Sequence, residues 1–218
     1  MIISEWKGVK KMVTCKEYVE KRKAELKAEI ATLKRKPKLC VIQIGDDPAS
    51  EVYVRNKKKT CEELGIDFEH EHITNYEDMT DFDLVRIIMQ KNATRNISGI
   101  ILQLPIPEQF NTRRVLNYIY NAKDVDGLCK LTQFTPCTPK GIIDYLKYNG
   151  VDFAGKECVV IGRSDIVGKP LVNLLINEGA TVTCCNSKTP DIRKYTQDAD
   201  IIVSAIGKAN YFDDSYFS

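Results

Sequence analysis

The sequence predicts an α/β protein of two domains, each built on a mainly parallel sheet. Three observations carry this. Apolar runs alternate with amphipathic stretches along the 218 residues, the order in which strands are joined by crossover helices. The runs KLCVIQI (38–44), SGIILQL (98–104) and ECVVI (157–161) read as buried strands. The pattern then restarts after a Thr/Pro bridge, Thr135-Pro136-Cys137-Thr138-Pro139. Domains of 1–136 and 137–218 are expected, the first an N-terminal α/β catalytic domain and the second a C-terminal nucleotide-binding unit of the Rossmann-like kind.

Composition sets the bounds. At 43% hydrophobic and 28% charged residues, each domain has enough apolar material for a core. The 32 basic and 30 acidic residues leave a net charge of +2, so no global field calls for nucleic acid or a membrane surface. Residues 1–13 contain lysines but no long apolar core, so no signal peptide is expected, and no apolar run approaches spanning length. The eight cysteines form no C-x-x-C pair and lie mostly in apolar segments. They read as reduced core residues of a cytoplasmic protein, with neither a zinc site nor a disulfide frame. His70 and His72 alternate along a strand at Phe68 to Ile73. With no third ligand in view, they are expected on a solvated edge strand, not at a metal.

The first helix follows the capping box Thr14-Cys15-Lys16-Glu17, with Leu26, Ile30 and Leu33 on its inner face. The strand 38–44 runs through a Gly45-Asp46-Asp47-Pro48 turn into a second helix, Ser50 to Leu64. Ser50 is read as its N-cap and Gly65 as its left-handed terminator. At about 100° per residue, Ser50, Tyr53, Val54, Lys57, Cys61 and Leu64 share one arc. Of the consecutive lysines 57–59, only Lys57 lies on that apolar side. Loss of water disfavours an ammonium, and a lysine so placed is a candidate for proton transfer near neutral pH. Tyr53 lies one turn before it.

A third helix is expected from Thr80 to about Lys91, then the strand 98–104 and a short helix, Asn111 to Tyr120. Gln103 and the loop after Ile44 both fall at the carboxyl ends of strands, where open α/β sheets bind ligands. Lys123-Asp124-Val125-Asp126-Gly127 is a polar turn, and Thr138 with Pro139 is read as the start of a helix to Tyr148.

The second domain opens with the strand 157–161 and the turn Gly162-Arg163-Ser164-Asp165-Ile166-Val167-Gly168, followed by a helix from Leu171 to Asn177 and strands at 180–185 and 199–205. Ser164 stands where the second glycine of G-x-G-x-x-G belongs, but the strand–turn–helix context is right for a pyrophosphate at a helix N-terminus. The end of the next strand, Asn186-Ser187-Lys188-Thr189, offers no acid for a ribose 2′-hydroxyl. Arg163 and Lys188 instead suit a 2′-phosphate, which favours NADP over NAD.

Six motifs occur in order: Asp47-Pro48-Ala49-Ser50, Tyr53-x-x-x-Lys57, Gln103-Leu104-Pro105, Lys123-Asp124-Val125-Asp126-Gly127, Pro136-Cys137-Thr138-Pro139 and Gly162-Arg163-Ser164-x-x-Val167-Gly168-x-Pro170. Together they resemble the bifunctional methylenetetrahydrofolate dehydrogenase/methenyltetrahydrofolate cyclohydrolase family across nearly the whole chain. The resemblance implies hydride transfer from 5,10-methylenetetrahydrofolate to NADP, then hydrolysis to 10-formyltetrahydrofolate. It implies that Lys57 is the key group of the hydrolytic step, that Gln103 hydrogen-bonds it, that Tyr53 stacks on the folate, and that Asp126 binds the pterin edge with Ser50 in support. Gly162, Arg163, Ser164 and Ser187 would hold the cofactor, and a homodimer is implied. The sequence departs from the family in a shortened stretch, Leu128 to Thr135, in Asn186 where a histidine is common, and in ending at Ser218. There the family continues with a further strand, a loop and a final helix, so the nucleotide domain is expected to be truncated. Two competing readings follow: a remnant without catalysis, or with cyclohydrolase activity alone, that binds folate or nucleotide; and an unrelated NADP dehydrogenase acting on a small acid.

Overall fold

A computed structural model describes residues 12–208 and 211–216 of the chain. The expectation of no signal peptide therefore falls, for residues 1–11, outside the described residues. Residues 209–210 and 217–218 are likewise outside the described residues. The described residues divide into two compact units, Lys16–Phe134 and the residues from Thr135 onward together with 12–15. Val13 shows the latter attachment: its N–H donates to Asn149 Oδ1 at 2.7 Å, and its carbonyl accepts from the Tyr145 hydroxyl at 2.9 Å.

The first unit is a parallel sheet of β1 (Lys38–Ile44), β2 (Asp67–Ile73) and β3 (Gly99–Leu102) in the order β2-β1-β3. Around it lie α1 (Cys15–Ala31), α2 (Pro48–Leu64), α3 (Asp81–Ala93) and the short α4 (Thr112–Leu116). The two-residue period of the strands sorts the side chains. Cys40, Ile42 and Ile44 point with Ile100 and Leu102 into the main core, against Leu84 and Ile88 of α3 and the Ile106–Ile119 segment. Val41 and Ile101 point to the other face, where Val54 of α2 covers them. Gln43 and Gln103 continue that second series by alternation. Both therefore face α2 at the carboxyl ends of neighbouring strands, and both are buried.

The second unit repeats the plan: β4 (Glu157–Ile161), β5 (Thr181–Cys185) and β6 (Ile201–Ser204), all parallel, in the order β5-β4-β6. Helices α5 (Cys137–Tyr148) and α6 (Gly168–Asn177) contribute Ile143, Leu146, Leu171 and Leu175 to its core. Two short elements were not anticipated: α7 (Arg193–Thr196) and a 3₁₀ turn at Asp214–Tyr216. Each is too short to show a helical period.

Several expectations need correction. Asp47, not Ser50, caps α2: its carboxylate accepts from the Ser50 N–H at 2.8 Å, with Pro48 in the first turn. A proline with its φ already set and no N–H to satisfy pins the start there. Removing this cap in Asp47→Ala is expected to cost about 1 kcal/mol, read as a lower urea midpoint at unchanged slope. Thr138 and Pro139 lie inside the first turn of α5, which starts at Cys137 after Pro136. Leu33 is beyond the end of α1 and is 53% exposed. β3 and α4 are shorter than expected. Five of the eight cysteines are buried, but Cys15, Cys137 and Cys184 are exposed, and none of the eight is in a disulfide. His70 and His72 do stand on the edge strand β2.

Candidate active site

The connection from β1 leads through α2 to β2 on one side. The chain after β3 turns to the other side, where Asp124 pairs with Ile100. The crevice between β1 and β3 is thus the switch point of this sheet, the place where ligands bind in open α/β folds. Lys57 and Gln103 meet there. Lys57, third turn of α2, donates from Nζ to Gln103 Oε1 at 2.7 Å. Gln103 follows the last residue of β3, its N–H held by the Ile42 carbonyl at 2.8 Å. Its Nε2 donates to the Leu104 carbonyl at 2.7 Å. A carbonyl can only accept, so the amide orientation is set and Oε1 is turned to the lysine. Ser50 Oγ also donates to the Leu104 carbonyl, at a long 3.5 Å, and Ser50 is 2% exposed. Of the three consecutive lysines, Lys57 alone is partly buried.

Tyr53 differs from the helical-wheel reading. It is 61% exposed, while Ser50, Val54, Cys61 and Leu64 of the same arc are buried. The arc is wider than the surface the sheet covers, so its edge stays in solvent. A flat, exposed ring one turn from Lys57 is free to pair with a planar ligand.

Asp126 lies in the turn after the β3 neighbour, half-buried and engaged by other groups. Two residues that the sequence reading passed over hold this turn. Asp124, 1% exposed, accepts from the N–H groups of Leu128 at 3.3 Å and Cys129 at 2.9 Å. Gly99 lets the turn approach, since a Cβ there would lie 2.6 Å from Val125 Cγ1. Lys123 donates to the carbonyls of Asn92 and Thr94 at the end of α3, at 2.7 and 2.8 Å. The D-x-D-G spacing signalled the turn but not which aspartate is structural.

In the second unit the crevice lies between β4 and β6, by the same topology. Gly162 follows β4 at φ 119°, and a Cβ there would sit 2.6 Å from the Ala205 carbonyl oxygen. Gly168 opens α6, and its Cβ would sit 2.1 Å from the Gly162 carbonyl oxygen. These two positions admit only glycine, as the outer glycines of a phosphate-cradling turn do. Ser164, in the middle place, accepts from the N–H groups of Val167 and Gly168 at 3.2 and 3.3 Å and so organises the start of α6. Arg163, Ser187 and Lys188 are exposed at the rim, and among the described residues none of their side chains has a hydrogen-bond or ion-pair partner.

Two family profiles match the chain: tetrahydrofolate dehydrogenase/cyclohydrolase, catalytic domain, over residues 13–126, and the NAD(P)-binding domain of the same enzymes over 136–218. The chain belongs to the tetrahydrofolate dehydrogenase/cyclohydrolase family. It is 47% identical over 199 residues to the bifunctional protein FolD of Solibacter usitatus, covering 86% of this chain and 64% of the relative. It is 43% identical to that of Bacillus subtilis over 208 residues, 90% of this chain and 73% of the relative. Among solved structures, bifunctional FolD from Campylobacter jejuni matches with TM-score 0.88 and 37% identity over 92% of this chain and 75% of that one. The Trypanosoma brucei enzyme, complexed with NADP cofactor and inhibitor, matches with TM-score 0.85 and 31% identity over 90% of this chain and 72% of that one. The chain therefore spans roughly two thirds to three quarters of the length of these relatives. Residues 127–135 fall between the two profile matches, and they include Leu128 to Thr135, the stretch read as shortened.

Proposed function

We propose that this chain carries out the two reactions of its family: NADP-dependent oxidation of 5,10-methylenetetrahydrofolate to the methenyl cation, and hydrolysis of that cation to 10-formyltetrahydrofolate. The observation that supports it most is the Lys57–Gln103 hydrogen bond at the switch point of the first sheet. In this reading the folate-binding domain is 1–136 and the cofactor domain 137–218.

Lys57 holds or moves a proton at Nζ during addition of water to the methenyl carbon and opening of the ring. Gln103 Oε1 keeps the amine aimed and shares its proton, while the Leu104 carbonyl and Ser50 hold Gln103 in turn. The exposed Tyr53 ring stacks on the folate. Asp126 accepts hydrogen bonds from the donor edge of the pterin. The cofactor turn fits its ligand: Gly162 and Gly168 leave room that a Cβ would fill, Ser164 shapes the helix start, and the unpaired Arg163 and Lys188, with Ser187, suit a 2′-phosphate. NADP, when bound, supplies the hydride acceptor.

The test is to supply the 218-residue chain with 5,10-methylenetetrahydrofolate and NADP+ and follow methenyl absorbance, with a parallel run starting from methenyltetrahydrofolate. Turnover in both is expected. Turnover only from methenyl would leave a cyclohydrolase, and a folded chain silent in both would sink the assignment. We further place the protein in the cytoplasm as a homodimer. Among the described residues no helix is long and apolar enough to cross a membrane. Sedimentation of the purified chain tests the dimer.

A further inference from the structure

We infer that the cleft beneath the amino-terminal half of α2, on the flank opposite Gln103, is a binding site for a small phosphate monoester. It has a volume of about 290 Å³, near the lower end of small-molecule sites. It opens at the carboxyl ends of two parallel strands: Gln43 is next to last in β1, and His72 is next to last in β2. The register aligns Gln43 with His72 and Val41 with His70, so both imidazoles share the α2-facing side with Gln43. This site is independent of the Lys57 chemistry, since Lys57 leans the other way, to β3.

The floor is built, not incidental. Gln43 is 1% exposed and both its amide atoms are engaged: Nε2 donates to the Gly45 carbonyl at 3.1 Å, leaving Oε1 to accept from His70 Nε2 at 3.1 Å. His72 Nε2 faces two acceptors, the Gly45 carbonyl and Asp46 Oδ1, each at 3.1 Å. Each ring therefore carries its hydrogen on Nε2, and on His70 it is Nδ1 that is left to accept a proton. The two rings stack at 5.2 Å, only 9° from parallel.

Above this floor α2 brings Arg55 and Lys58. Among the described residues neither side chain has a hydrogen bond or an ion pair, and Glu51 is the one carboxylate of the lining. Burial, then His72 and then Lys58 hold His70 below the ordinary histidine range, with Glu71 opposing. Arg55 and Lys58 are offset by Glu51 and by Asp46 beside His72, so protonation of His70 is what puts positive charge in excess here and calls for an anion. A metal ion is not the better guest, because among the described residues no three His, Cys, Asp or Glu side chains are grouped to hold one. Two cations and a titrating imidazole match a phosphate dianion. Val54 and Phe68 add an apolar wall for the ester group.

The chain has two histidines, so their ring protons can be followed by NMR in the full 218-residue protein. Inorganic phosphate and phenyl phosphate would be titrated at about pH 6 and about pH 8, on either side of the ordinary histidine range. We expect saturable shifts of both histidines, with Kd, expressed for the dianion present at each pH, on the order of 1 mM at the lower pH and about tenfold weaker at the higher. Binding stabilises protonated His70, so the affinity for the dianion falls as pH rises once the ligand's own second ionisation is divided out. Phenyl phosphate should bind more tightly than phosphate. The exposed pair Arg55→Ala/Lys58→Ala should weaken both about tenfold or more with an unchanged circular dichroism spectrum, and Glu51→Gln should tighten both. A linear shift equal to that given by chloride at matched ionic strength, or one that survives the double substitution, overturns the site. Weaker binding of phenyl phosphate than of phosphate overturns the ester assignment.

Discussion

Lys57→Ala is expected to slow methenyltetrahydrofolate hydrolysis by on the order of 10²- to 10⁴-fold, the usual worth of a positioned proton-transfer group. The fold should survive. Lys57 is only partly buried, and it donates to a single amide oxygen, Gln103 Oε1. Losing it leaves Gln103 still anchored through its N–H to Ile42 and through Nε2 to Leu104. Lys57→Arg should not restore the rate, because a guanidinium does not give up its proton near neutral pH and its planar fork does not reproduce the compact ammonium. The measurement is loss of methenyl absorbance under single-turnover conditions, with a thermal melt as control. A full rate in Lys57→Ala would remove the lysine from the chemistry and with it the assigned role of Gln103.

Gly168→Ala should have a large structural effect for a single added methyl. The new Cβ would meet the Gly162 carbonyl oxygen at 2.1 Å and its carbon at 2.7 Å, both backbone atoms that no rotamer change can move. Overpacking of this kind costs roughly 3 kcal/mol or more. The only relief is to push the Gly162–Ser164 turn off the end of β4, which spoils the cradle of the cofactor. Loss of NADP binding by calorimetry, with a lowered melting temperature, is the expected pair of results. Gly141→Ala is the matched control. Gly141 lies in α5 with nothing within 4 Å of a new Cβ. There the same change should stabilise by about 0.5–1 kcal/mol, as alanine does in a helix interior. If Gly168→Ala melted like the control, the close approach of α6 to β4 would be wrong.

The strands were legible because a parallel strand buried on both faces is a continuous apolar run. KLCVIQI and ECVVI were bounded to the residue. Lys57 was legible because helical periodicity separated it from its two neighbours, and the partial burial follows that pattern. Tyr53 shows the limit of the same tool. A helical wheel states which residues share a side, but the width of the buried strip is set by what packs against it. The α2 cap was misread for a related reason: Asp47 and Ser50 are both good capping residues, and the choice rests on backbone geometry around Pro48.

What the sequence alone determined is the order of elements, the two-domain plan, the family, and the residue types of both candidate sites. These depend on local periodicity, turn chemistry and motif spacing, all of which lie within short windows of chain. What only the tertiary structure decided is which of those residues meet. Lys57 and Gln103 are separated by 46 positions, and the amide orientation that joins them depends on the Leu104 carbonyl. His70, His72 and Gln43 form one floor because β1 and β2 pair in a single register, and a slip of one residue would turn the histidines to the opposite face. Gly162 is required to be glycine by the backbone of Ala205, just after β6, and Gly168 by the backbone of Gly162 and Arg163. Such facts arise from contacts between segments distant in sequence, and no local pattern carries them.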